Sequence, residues 1–463
     1  MHAPGGILLI STYELGHQPM GLALPLAHLE QAGYLPESLD LSRETLDMKR
    51  VGAAGLIAFS VPMHTALRLG VRAAEHIRRE NPQAHLCFFG HYAALNAVEL
   101  LEGLADSVMA GECEESLVDL AGVLESGGDP GSVPAVMRRG DHRSALLRRQ
   151  RFVPPSRRNL RPLSEYAALE SGGQITPAGY VEASRGCLHL CRHCPIPPVY
   201  HGRFFVVPQE TVLQDIARQV ELGAGHVTFG DPDFLNGPGH SLALAREMRR
   251  RFPGLSFDFT AKIEHLLMHA GLLPELRSAG CLFIVSAVES LSDRVLEILE
   301  KGHRRADVEK ALDLCRQAEI TLRPSLLPFT PWSTLSEYGE LLDFIERGEL
   351  EQAVDPVQLA VRLLVPPGSL LLSRPELAGH LAGLAPGTFS HAWRHPDERM
   401  DRLHRLVSAT VEAGAQDREA SEKTLARIRE DFREIAEGKR QPPRQRPGPR
   451  RGRLPRLTES WFC

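Results

Sequence analysis

The sequence has no run of about eighteen apolar residues, the minimum for a membrane-spanning helix, so no membrane partner is expected. Its opening, Met1-His-Ala-Pro-Gly-Gly, lacks the basic, then apolar, then small-residue order of a signal peptide, so a cytoplasmic protein is expected. Cysteine is scarce and uneven: of eight, the scattered Cys87, Cys113, Cys281, Cys315 and Cys463 do not form the even spacing of a secreted disulfide framework. Cys87, Cys281 and Cys315 fall in apolar patterns and read as small buried hydrophobes. Acidic residues are missing between Lys439 and Arg456, where eight basic ones gather, so the rest of the chain is more acidic than its net charge of −5 suggests. An acidic body argues against general nucleic-acid binding.

At 463 residues the chain is too long for one core. Residues 1–130 alternate short apolar runs with helical patterns: 6–11, 39–41, 56–60, 85–89 and 107–110 read as strands of a doubly wound, Rossmann-like parallel sheet. Ligands bind such sheets at strand carboxyl ends, here Ser11-Thr12, Ser60-Val61, Gly90-His91 and Gly111-Glu112. Residues 131–172, rich in Gly, Pro and Arg, read as a linker. A second βα series occupies 173–370, with strands expected at 180–184, 226–230, 256–261, 282–288, 321–327 and 357–364. Six units suffice for a partial (β/α)6 barrel and fall short of the eight of a closed one. Residues 371–437 read as helical, and 438–463 as a disordered basic tail ending in Cys463.

The densest chemistry lies just after the first strand of the second series. Ser184-Arg-Gly-Cys187-Leu-His-Leu-Cys191-Arg-His-Cys194 has the spacing C-x3-C-x2-C. Three thiolates on one loop can hold three irons of a [4Fe-4S] cube and leave the fourth open. A zinc ion completed by His189, His193 or His201 is the alternative reading of the same donors. Placed where it is, the motif resembles that of the radical S-adenosylmethionine (SAM) superfamily. That resemblance implies that the open iron chelates SAM and that electron transfer into the sulfonium gives a 5′-deoxyadenosyl radical. It also implies an electron donor such as flavodoxin or ferredoxin.

Other strand ends are similar to the same superfamily. Phe229-Gly230-Asp231-Pro-Asp233 stands where the family has Gly-Gly-Glu, so Asp231 or Asp233 takes the place of Glu. Gly280-Cys-Leu-Phe-Ile-Val-Ser286-Ala-Val-Glu289-Ser290, followed by Lys301-Gly-His303, is similar to its GxES…KgH run. By this resemblance Gly230, Asp231, Asp233, Lys262, Ser286, Glu289 and Arg323 are candidate SAM residues.

The N-terminal sheet resembles the cobalamin-binding domain that precedes the barrel in one large radical SAM class. The Leu8–Thr12 strand, its Gly16–Gly21 loop, Gly90 and Gly111-Glu-Cys-Glu-Glu115 carry the likeness, making Thr12, Gly16, Ser60, Val61, Gly90, Gly111 and Glu112 candidate corrin residues. The D-x-H-x-x-G motif that offers cobalt a histidine is absent. Over nearly the whole chain, Ile7–Gly16, Cys187–Tyr200, Thr228–Pro238 and Pro328-Phe-Thr-Pro-Trp332 look like the CUAEP/CCAEP-tail radical SAM proteins. Those end in Cys, then Cys or selenocysteine, then Ala-Glu-Pro. The resemblance makes the protein a selenoprotein candidate, with a UGA codon expected after Cys463 and a catalytic role for that thiol. The function expected is a cobalamin-dependent radical SAM enzyme, methyltransferase-like, acting on a small molecule. An RNA-modifying radical SAM enzyme and a non-enzymatic Fe–S or zinc protein are the alternatives.

Overall fold

A computed structural model describes residues 1–141, 147–385, 387–438 and 454–459. None of the described helices is long and apolar enough to cross a membrane, and no disulfide links the seven described cysteines.

The first sheet runs β2-β1-β3-β4-β5-β6, with β1 Ile7–Ser11, β2 Glu37–Asp40, β3 Leu56–Ser60, β4 His85–Phe89, β5 Ser107–Met109 and β6 Val136–Met137. β1 to β5 are parallel and β6 is antiparallel. β1 and β3 are buried at every position, which is why both read as unbroken apolar runs rather than alternating ones. Helix Met20–Gln31 covers one face and helix His64–Glu80 the other. In a 2-1-3-4-5 order the chain changes direction between β1 and β3, which opens a crevice at their carboxyl ends.

The second sheet runs β14-β13-β12-β11-β8-β7-β17. Here β7 is Ala168–Ser171, β8 Gln174–Val181, β11 His226–Phe229, β12 Ser256–Ala261, β13 Cys281–Glu289, β14 Thr321–Leu326 and β17 Arg456–Leu457. β8, β11, β12, β13 and β14 are parallel. Between β8 and β11, β9 Ser184–Gly186 pairs antiparallel with β10 Phe204–Val206 and brackets the cysteine loop. A small antiparallel pair, β15 Leu381–Leu384 and β16 His391–Trp393, precedes two C-terminal helices, Glu398–Gln416 and Ser421–Glu437. Those helices add Met400, Leu403, Val407 and Ile428 to the barrel core.

Two expectations are corrected. Residues 357–364 are not a sixth barrel strand: Pro356–Ala360 is a 3-10 turn, and a lone Phe329–Arg362 bridge is all the pairing that follows. The Gln358 side-chain carbonyl accepts the Leu326 amide at 2.8 Å, so a side chain meets the edge of β14 where a sixth backbone was expected. The basic tail is not wholly outside the fold either. Residues 439–453 and 460–463, Cys463 included, lie outside the described residues, but 454–459 add β17 to the edge of β7.

Candidate active site

The cysteine loop is held from both sides. Gly186 has φ +76°, and a Cβ there would meet the Arg203 carbonyl and the Tyr200 ring, so only glycine fits where the chain turns into the loop. On the far side Arg192 N donates to Leu299 O at 3.0 Å, and its guanidinium reaches Ile298 O at 3.1 Å and Glu300 at 2.9 Å. These contacts bind the loop to the last turn of helix Asp293–Leu299.

Cys187 and Cys191 are buried and Cys194 is half-buried. Burial pushes the Cys187 thiol up, against the pull of the His189 amide and Asn236. Among the described residues the three thiols do not gather with a histidine into one group with ligand atoms within 4.8 Å, as a single tetrahedral zinc ion needs. Polar groups nearby await a partner: Asn236 Nδ2, His193 Nδ1 and His303 Nδ1 are buried without a hydrogen bond. Buried polar atoms seldom stay unpaired, so these atoms suit a polar ligand beside the thiols.

Beneath the loop lies an ion pair. Glu289 Oε1 is 3.2 Å from Lys301 Nζ and 3.3 Å from His193 Nε2. Burial alone would raise the Glu289 carboxyl, but Lys301 and His193 hold it down to about 2. Burial would lower Lys301, yet Glu289, Cys191 and Cys194 keep it above its ordinary value. Glu289 adopts φ +62°, where a side chain is strained by about 1–2 kcal/mol. A register shift between Ala287 and Glu289 at the end of β13 accompanies this turn.

The other expected SAM residues are placed differently. Asp231 accepts the Ala183 amide at 2.9 Å and the Ser184 hydroxyl at 2.5 Å, and burial pushes its carboxyl to about 7. Asp233 accepts Leu235 N at 2.9 Å and Lys262 N at 3.1 Å. It also lies 2.9 Å from His265 Nδ1, while His265 Nε2 is 3.1 Å from His189 Nε2. This Asp-His-His row is the group best placed for a lone metal ion, but Lys262 Nζ sits 2.9 Å from His189 Nδ1 and opposes a cation there. The row therefore braces the cysteine loop against the third strand. Gly230 is required because a Cβ would strike the Tyr180 hydroxyl. Ser286 bonds Ala261 O at 2.7 Å, joining two strands. Arg323 is drawn to the sheet's outer edge, to Asp355 at 3.2 Å and Gln352 O at 3.2 Å.

The expected corrin residues gather at the carboxyl edge of the first sheet. Thr12 donates to Ala66 O at 2.8 Å, and Gly16 O accepts Ala167 N at 2.8 Å. Gly90 has φ +107°, and a Cβ on it would press within 3.0 Å of the Val61 carbonyl. Gly111 has φ +76°. Ser60 donates to Glu14 at 3.3 Å, and a Cβ on Gly21 would strike Ser60 Oγ. At Gly16, Gly21 and Gly90 the missing Cβ lets Glu459, Ser60 and the Val61 carbonyl pack directly against the backbone of this edge. Glu112 is used differently. It takes Arg185 at 2.9 Å and Tyr200 OH at 2.7 Å, and so ties the first domain to β9, the strand that leads into Cys187. Arg185 also meets Glu114 at 2.7 Å and Glu182 at 3.1 Å. Arg185, Asn236 and His265 carried no sequence signal beyond their neighbourhood to the motifs.

Glu14, in the loop after β1, is half-buried; burial, with Asp40 and Glu182 adding to it, pushes its carboxyl from 4.5 to about 7, against the Gly21 and Met20 amides. A raised folded value means that its favourable contribution is full below about pH 4.5 and lost as pH rises through 7. Glu14→Gln is therefore expected to stabilise corrin-free protein at pH 8 by on the order of 1–3 kcal/mol and to change little at pH 4.5. Urea unfolding at both pH values measures this; an equal effect at both contradicts the assignment.

Comparison with known proteins agrees with the geometry. Residues 181–345 match the family model described as the radical SAM superfamily. The hopanoid C-3 methylase of Methylococcus capsulatus is 25% identical over 334 residues, 68% of this chain and 62% of that protein. The ribosomal protein uS12 methylthiotransferase RimO of Chlorobium chlorochromatii is 26% identical over 189 residues, 38% of this chain and 43% of that protein. The chain thus spans less than two thirds of either curated relative. Among solved structures, the radical SAM methyltransferase TsrM of Kitasatospora setae, with cobalamin and a [4Fe-4S] cluster bound, superposes with TM-score 0.60 at 18% identity, over 74% of this chain and 73% of that one. The cobalamin-dependent SAM radical enzyme OxsB superposes with TM-score 0.68 at 15% identity, over 89% of this chain and 66% of that one. The fold is theirs: a parallel α/β sheet ahead of a half-barrel, with a helical C-terminal region. Residues 181–345, the stretch that matches the radical SAM superfamily model, hold both the cysteine loop and the Glu289–Lys301 pair.

Proposed function

We propose that the protein is a cobalamin-dependent radical SAM enzyme that transfers a methyl group, or forms a related bond by radical chemistry, on a small molecule. The observation that carries this reading is the loop of Cys187, Cys191 and Cys194 set over the Glu289–Lys301 pair, with unpaired polar atoms of Asn236, His193 and His303 around it. In this reading the three thiolates hold a [4Fe-4S] cluster, and Thr12, Gly16, Ser60, Val61, Gly90 and Gly111 line the corrin edge. Bound there, the cluster supplies the electron that cleaves SAM and the corrin supplies a methyl carrier. The chain's own residues do the rest. Lys301 places a positive charge near Cys191 and Cys194, and the ion pair fixes His193 beside the thiols. His265 holds His189, and Arg185 with Glu112 keeps the two domains in register.

The resemblance to the CUAEP/CCAEP-tail proteins supports a finer reading, in which Cys463 is a working thiol followed by a UGA codon read as selenocysteine. The genomic codon after Cys463 tests that refinement; TAA or TAG there removes it.

The broader reading is tested by anaerobic reconstitution with iron and sulfide, then SAM and dithionite. Release of 5′-deoxyadenosine supports it. Protein that binds zinc and releases none would falsify it. Corrin is tested apart, by the visible spectrum of protein expressed with hydroxocobalamin. Protein that stays free of corrin while still cleaving SAM removes cobalamin from the reading and leaves the radical SAM assignment intact. Product formed on RNA or on a ribosomal protein instead of a small molecule reassigns the substrate.

A further inference from the structure

The second sheet ends at β14 on one side and at β17 on the other, and those two ends meet. Arg323 on β14 donates to Pro455 O, just before β17, at 3.5 Å. Leu457 on β17 packs against a cluster of Leu169, Phe283 and Val285, which brings β7 and β13 together across the open flank of the half-barrel. So short a strand pair does not hold itself, and its anchors are side chains. Arg456 pairs with Glu170 at 2.8 Å, Leu454 N donates to Gln352 Oε1 at 3.2 Å, and Thr458 exchanges bonds with the Ala168 backbone at 2.8 and 3.0 Å. One residue further on, Glu459 accepts the Tyr13 hydroxyl at 2.8 Å. The same carboxylate packs on Gly16, where a Cβ would overlap it. β17 is antiparallel to β7, and β7 antiparallel to β8, so β17 runs parallel to the barrel strands.

We propose that the outer edge of β7, with Arg323, Gln352 and the Leu169–Phe283–Val285 patch, is a strand-accepting groove whose occupant is this chain's own segment 454–459. Docked, the segment closes the flank that five parallel strands leave open and latches the loop after β1 to the barrel through Tyr13 and Glu459. The groove has what strand addition requires: backbone groups at a sheet edge for affinity and a pocket for one side chain for selectivity. Leu457 is that side chain. The charge match is local, Arg456 on Glu170.

The test compares the full chain with one ending after Arg453, using a fluorescent peptide of the sequence 453–459. The peptide is expected to bind the shortened chain at least about tenfold more tightly than the full chain, whose groove is filled, and a Leu457→Asp peptide is expected to lose about tenfold. Hydrogen exchange at the amides of β7 is expected to speed up about tenfold in the shortened chain, and to slow again when the peptide is added. Equal peptide binding to both chains, or binding to neither while β7 stays protected, overturns the proposal. If the shortened chain does not fold, full-length Leu457→Asp carries the test alone: unchanged exchange at β7 overturns it, and faster exchange confined to β7 and the Tyr13 loop supports it.

Discussion

Replacing Cys187 with Ala is expected to abolish cluster retention and, with it, reductive SAM cleavage by at least about a hundredfold. Three thiolates are the fewest that hold a cube by protein alone, so a chain with two is expected to fall from about four irons to below about one after desalting. Cys191→Ala and Cys194→Ala are expected to do the same. The control is Cys87→Ala. That thiol is fully enclosed in the first sheet, and burial pushes it up to about 12, so it is neither a ligand nor a nucleophile. Iron and sulfide assays with 5′-deoxyadenosine quantitation make the measurement. Equal iron in Cys187→Ala and Cys87→Ala would remove the cysteine loop from the site. The loss is expected without unfolding, because the loop is also held by Arg192 to Leu299 and by the His189–His265 contact, neither of which uses a thiol.

The cysteine spacing was legible because every term in it is local: three donors in eight residues, placed just after a strand, need no knowledge of the fold. The run from Gly280 to Lys301 was legible for the same reason, and Glu289 and Lys301 do meet. The five parallel strands of the first sheet were legible, since buried parallel strands are unbroken apolar runs separated by helical periodicity; the antiparallel β6, two residues inside the stretch read as linker, was not. What failed locally failed for identifiable reasons. Residues 357–364 have the apolar content of a strand, but Pro356 opens a 3-10 turn and Gln358 satisfies the edge in place of a backbone. At Asp233 the structure adds what no local window shows, that its two oxygens accept amides of its own barrel.

Contacts between distant segments were not legible at all. Arg157 meets Asp215 at 2.8 Å across 58 residues, with both side chains 3% exposed, and nothing in the Arg-rich linker marks which of its arginines is buried. The tail is the sharpest case. A Pro/Arg/Gly-rich composition reads as a chain with too little apolar surface to fold, yet segment 454–459 has two leucines, Leu457 packing across the barrel flank and Leu454 against the barrel core. Its order comes from a groove built by residues 168–171, 283–285 and 323, which no local window contains. Composition measures what a segment can bury by itself, and this segment folds on surface supplied by the rest of the chain.

Arg185→Leu is the substitution expected to cost most stability, about 3–5 kcal/mol at pH 8, because it strands buried carboxylates rather than merely removing a bond. Glu112 and Glu114 are 1% and 8% exposed at the side chain, and Glu182 is the third carboxylate on the same guanidinium. In the native chain burial pushes the Glu114 carboxyl up, but Arg185 and Gln150 bring it below the ordinary value of 4.5. Without the guanidinium the folded-state value rises above 4.5, so the native state takes up protons that the unfolded chain releases. The sign follows: the deficit is small near pH 4.5 and grows as pH rises, in the same direction as for a lost surface ion pair but larger, because the stranded carboxylates are buried. Adding Glu112→Gln and Glu114→Gln to Arg185→Leu is expected to return about half of the loss, since neutral amides tolerate burial better than unpaired charges. Urea unfolding at pH 5 and pH 8 measures both effects, and a deficit equal at the two pH values contradicts the account. The same variant is expected to bind less iron than the native chain, because Arg185 lies two residues before Cys187 and the carboxylates that hold it belong chiefly to the other domain.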